Sequence, residues 1–63
     1  MNIYEASISY AGRPYFVHLD ANDDTLITIL QYDHTPATRL SPHGQAILHG
    51  KAVALRHGKV YYR

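Results

Sequence analysis

The stretch from Ile3 to Asp20, IYEASISYAGRPYFVHLD, alternates apolar and polar positions with a period of two, as a strand with one face on a core must. Folding it about Ala11-Gly12 places Tyr4, Ala6, Ile8, Tyr10, Tyr15, Val17 and Leu19 on one side. A two-residue turn, or a four-residue loop through Pro14, gives the same facing. The other side carries Glu5, Ser7, Ser9, His18 and Asp20, with Phe16 as its one large apolar member. Ala21-Asn22-Asp23-Asp24 then supplies a turn, because Asn and Asp tolerate left-handed backbone and bond to their own main chain.

TLITILQY, residues 25–32, is rich in β-branched side chains at Thr25, Ile27, Thr28 and Ile29, which favours a strand. A helix capped by Asn22 or Asp23, with Leu26, Ile27 and Leu30 as its stripe, is the alternative. As a strand it completes a meander over residues 3–32. Its apolar residues of both parities suggest cover on both faces, with Phe16 packed beside the isoleucines.

From Asp33 to Gly44 two prolines and several small polar residues read as a loop or a short helical turn. Ser41-Pro42 followed by Gly50 fits a short helix around 41–49, with Ser as cap, Pro at the first position and Gly past the end. A strand over Gln45 to Leu48 is the other option. Taking His57-Gly58 as a two-residue turn predicts a terminal hairpin over 51–63, because histidine accepts positive φ more readily than most residues. Val53, Leu55, Val60 and Tyr62 then face inward, and Arg56, Lys59, Tyr61 and Arg63 face out. The expected architecture is one small β-rich domain over residues 1–63, all-β or α+β. It has an N-terminal antiparallel meander and a C-terminal hairpin, closed as a small open barrel or as a sheet carrying one short helix.

Composition narrows the function classes. A chain of 63 residues buries only about 60% of its unfolded surface, so one core and one site are the most to expect. There is no cysteine, which excludes a disulfide framework and thiolate zinc sites. The apolar runs fall short of the roughly 20 residues that cross a bilayer, and the N-terminus lacks a basic and apolar leader. A cytoplasmic protein with no membrane partner is expected.

The net charge of +1 hides a polarity along the chain. Residues 1–33 hold Glu5, Asp20, Asp23, Asp24 and Asp33 against Arg13, which is 1 − 5 = −4. Residues 34–63 hold no acid but Arg39, Lys51, Arg56, Lys59 and Arg63, which is +5, with four histidines besides. The two halves either neutralise each other in a salt-bridged fold or leave the basic half free for an anion.

On the second reading, Arg39, Lys51, Arg56, His57, Lys59, Tyr61 and Arg63 form the binding site. Cations interleaved with an aromatic ring suit a phosphate backbone with a base against the ring. The chain is then a non-enzymatic binding or regulatory module, with nucleic acid or an acidic protein surface as partner. Charged histidines would make anion affinity rise as pH falls. The alternative is an inhibitor or adaptor of the virus or mobile-element type, which occupies a partner protein through its tyrosines and sheet edges. Those edges also allow a homo-oligomer. A second alternative is a metal-independent RNase-like toxin, with His57 and Tyr61 moving protons. The five histidines show no metal-binding spacing, so neither metal nor cofactor is expected.

Overall fold

The computed structural model describes residues 2–58. Strands β1 (Ile3–Tyr10), β2 (Arg13–Asp20) and β3 (Leu26–Gln31) form an antiparallel sheet in the order β1-β2-β3, and helix α1 (Pro42–Arg56) follows. The fold is a β-rich α+β arrangement, a meander with one helix on its face.

The first hairpin turns on two residues, with Tyr10 paired to Arg13. Ala11 (φ 52°) and Gly12 (φ 75°) both lie in the left-handed region, so the turn twists in the same sense as the strands. The even residues of β1 and the odd residues of β2 therefore share one face. That face supplies Ala6, Ile8, Val17 and Leu19, joined by Ile29 from β3 and by Leu48 and Ala52 from α1.

Residues 26–31 are a strand, and apolar residues of both parities have a different cause from two-sided cover. His18 pairs with Thr28 and Leu19 with Leu26, so Ile27 is an extra residue, a β-bulge. The bulge resets the alternation and lets Leu26 and Ile29 pack on the same core, while Ile27 is left 42% exposed. Phe16 sits on the outer face beside Leu30, its partner on β3. Instead of an isoleucine, the His34 imidazole stacks on it at 4.7 Å and 10°. The segment after β3 also doubles back along the strand's edge, with the Thr35 carbonyl accepting from Gln31 (2.8 Å) and Ala37 donating to the Ile29 carbonyl (3.0 Å).

Ser41 caps α1 through Oγ, which accepts from the Gly44 amide at 3.1 Å, and Pro42 takes the first position. The helix does not stop at Gly50. It continues through Lys51-Ala52-Val53-Ala54-Leu55-Arg56, so the expected hairpin over 51–63 is overturned for 51–56. Its second strand, 59–63, lies outside the described residues. Gly44, Leu48 and Ala52 recur every four residues and are buried, which gives the last turns a packing face that outweighs the propensity cost of Gly50, about 1 kcal/mol. Gly58 provides the end instead: at φ +67° it donates its amide to the Leu55 carbonyl, as a glycine just past a helix does.

Candidate polyanion groove

Of the seven residues expected to form one basic site, the four that the structure describes, Arg39, Lys51, Arg56 and His57, do not come together. Lys59, Tyr61 and Arg63 lie outside the described residues, and Lys51 is exposed on α1. Arg56 and His57 stand at the end of α1 against the β2–β3 loop, where Asp24 is held at φ 64°. His57 Nε2 is 2.7 Å from one Asp24 carboxylate oxygen, and Arg56 Nη1 is 3.2 Å from the other. Arg56 also donates to the Ala21 carbonyl, and the His49 ring lies 2.7 Å from the Asp24 carbonyl. The hydrogen bond from His57 is the main reason the Asp24 carboxyl titrates below its ordinary value, aided by the Coulombic pull of His57 and Arg56 against desolvation and the Asp23 charge. Here the acidic and basic halves of the chain neutralise each other.

Arg39 is different. It lies in the loop before α1, and this loop meets the turn end of the first hairpin. Tyr10, Arg13, Tyr15 and Gln31 share the helix-facing side of the sheet by register, but α1 begins too late to cover their end of it. The result is an open groove of about 660 Å³, lined by these four with Ala11 and the segment from Ala37 to Ser41. Gly44 packs against two of the lining residues: a Cβ there would lie 3.3 Å from the Tyr10 ring and 3.3 Å from the Leu40 side chain. The absence of a side chain at 44 lets helix and ring meet.

Among the described residues, Arg13 and Arg39 are the charged members of this lining, and no carboxylate belongs to it. Asp33, close to Gln31 in sequence, is occupied by Thr35, whose hydroxyl and amide donate to it at 2.6 and 3.1 Å. These bonds, the hydroxyl's first, hold its carboxyl below the ordinary value. Guanidinium groups in a wall without counter-charge, beside phenol rings, suit a phosphate with an aromatic or sugar moiety attached.

Of the expected residues that the structure describes, only Arg39 is in this groove. Sequence reasoning missed Arg13, Tyr10, Tyr15 and Gln31 as site residues. The available signal was Arg13 itself, the single cation of the acidic half, placed beside Tyr10 by the predicted turn. Among the described residues, no group of three or more His, Asp or Glu side chains is arranged to hold a metal ion, and no helix is long and apolar enough to cross a membrane.

The fold and groove define a class by geometry alone, a three-stranded meander with one helix and a basic-aromatic groove at the hairpin end. Compared with known proteins, the chain matches no family model, and no curated protein or solved structure is significantly similar to it.

Proposed function

We propose that this chain is a small non-enzymatic binding module that holds a polyanion, nucleic acid in the first place, in the groove between the first hairpin turn and the loop before α1. The observation that carries this is the composition of the wall: Arg13 and Arg39 with Tyr10 and Tyr15, and no carboxylate among the described residues. Among the described residues of the expected basic surface over 34–63, Arg39 is the one that lines this groove, and Arg13 joins it there, while Lys51 stands apart on α1. Arg56 and His57 are engaged with Asp24, so they serve the fold before they serve a ligand.

Fluorescence anisotropy with labelled oligonucleotides and with inorganic polyphosphate as competitor tests this. Two phosphates neutralised by two arginines give a slope of log K against log salt of about −1.4 on a single strand, and either Arg13→Ala or Arg39→Ala should make it shallower by about 0.7. Lys51→Ala should leave it unchanged. Absence of binding by folded protein at about 50 mM salt, or indifference to both arginines, would sink the proposal.

A second reading rests on the outer edge of β1. Among the described residues no strand pairs with it over Ile3–Tyr10, and such an edge can take up an extended segment of a partner protein. Loss of a protein partner on Ser7→Pro, with oligonucleotide binding intact, would favour that reading.

A further inference from the structure

Resting on the polyanion reading, we infer that the ligand is single-stranded nucleic acid and that it crosses the end of the sheet, with Arg13 as the phosphate contact shared by two successive base positions. A second depression of about 220 Å³ adjoins the groove and is lined by Arg13, Pro14, Tyr15, Gln31 and Tyr32. Arg13, Tyr15 and Gln31 belong to both. The two hollows are therefore one path. It starts at Arg39 and Ser41 on the helix side, passes over Arg13, and ends at Tyr32 where β3 gives way to the next loop.

Three features of this path point to unpaired bases. Tyr10 and Tyr15 stand at the first hollow and Tyr32 at the second, so rings recur along it as a stacking strand requires. Tyr32 is 68% exposed, a large aromatic surface that nothing else in the described residues uses. Gln31 sits where the hollows meet, and its amide nitrogen is committed to Thr35 Oγ1 and the Pro36 carbonyl, both at 3.2 Å. Among the described residues its side-chain carbonyl oxygen has no hydrogen-bond partner, and it is an acceptor that suits the N–H donors on the edge of an unpaired base. A duplex hides both base faces and these edges. A bare polyphosphate has neither.

The test compares one labelled single-stranded DNA, the same strand annealed to its complement, and inorganic polyphosphate of similar charge, against wild type, Tyr32→Ala and Arg13→Ala. Tyr32 is exposed, so its variant retains the fold, which an amide NMR spectrum checks. The single strand should bind tightest. Tyr32→Ala should weaken it about five- to a hundredfold with little change in salt slope, and leave polyphosphate binding as it was. Arg13→Ala should weaken all three. Equal affinity for the three ligands, or indifference of the single strand to Tyr32→Ala, would overturn this inference and leave the polyanion reading standing. No binding of any of them would overturn both.

Discussion

At the scale of single residues, two identical His-Gly-Lys tripeptides, His49-Gly50-Lys51 and His57-Gly58-Lys59, put their glycines into opposite backbone states. Gly50 is inside α1, exposed, with nothing within 4 Å of where a Cβ would stand. Gly58 is at φ +67° just past the helix end. Alanine should therefore act with opposite sign at the two positions. Gly50→Ala is expected to stabilise by about 1 kcal/mol, through helix propensity and a less free unfolded chain. Gly58→Ala should destabilise by about 1 kcal/mol or more, because it forces a Cβ into left-handed backbone. Urea midpoints of the two variants decide the matter; a destabilised Gly50→Ala would mean that the helix ends there after all. Gly44 is a third case. Its alanine variant gains the same propensity but presses on the Tyr10 ring, so its measurable effect should be weaker ligand binding at nearly unchanged stability.

At the scale of elements, the first hairpin was legible in the sequence in its facing, because strict alternation leaves only one way to bury the apolar face whether the turn takes two residues or four, and the structure takes the two-residue turn. The strand over 26–31 was legible from β-branching, but its bulge was not, since an extra residue and a two-sided strand produce the same mixed parity. The helix was legible in its start and misread in its stop. Ser41-Pro42 is a start signal with a local mechanism, whereas Ala52-Val53-Ala54-Leu55 is apolar enough for either element, and only packing against β1 and β2 decides for helix. What fastens that last turn is Asp24, and this makes a prediction about acid. The His57 hydrogen bond keeps the folded Asp24 carboxyl below the ordinary 3.8 of a free aspartate. Its stabilising contribution is thus complete above that value, and it is lost as pH falls through the lower, folded one. Stability measured from pH 5 downward should decline more steeply in wild type than in Asp24→Asn, which keeps a residue tolerant of left-handed backbone but cannot titrate. Parallel acid limbs would mean that the pair is solvent-screened and contributes nothing.

At the scale of the whole molecule, the charge asymmetry along the chain becomes an asymmetry in space, but not the one that the sequence suggests. Residues 1–33 carry −4 and residues 34–63 carry +5, and the antiparallel path brings the end of α1 onto the acidic β2–β3 loop. Neutralisation happens there, at Asp24. Two cations without a carboxylate partner among the described residues, Arg13 and Arg39, lie instead at the other end of the sheet and come from opposite halves of the chain. No count along the sequence could pair them, because their meeting depends on the 33–41 loop doubling back over β3. Ligand binding to this end must stabilise the fold, since the groove joins the hairpin turn, β3 and the approach to α1, and none of it exists in the unfolded chain. With ligand at about a hundred times its Kd the stabilisation is about 2.7 kcal/mol. For a domain of about 60 residues each kcal/mol raises Tm by roughly 4–8 °C, so an oligonucleotide in excess should raise the melting temperature by about 10–20 °C. The Arg13→Ala/Arg39→Ala double variant should melt at the same temperature with or without oligonucleotide. Lys51→Ala, which alters a cation outside the groove, should retain the full rise. A rise that survives the double variant would move the anion site away from the hairpin end, and a rise lost with Lys51→Ala would return it to the surface of the helix.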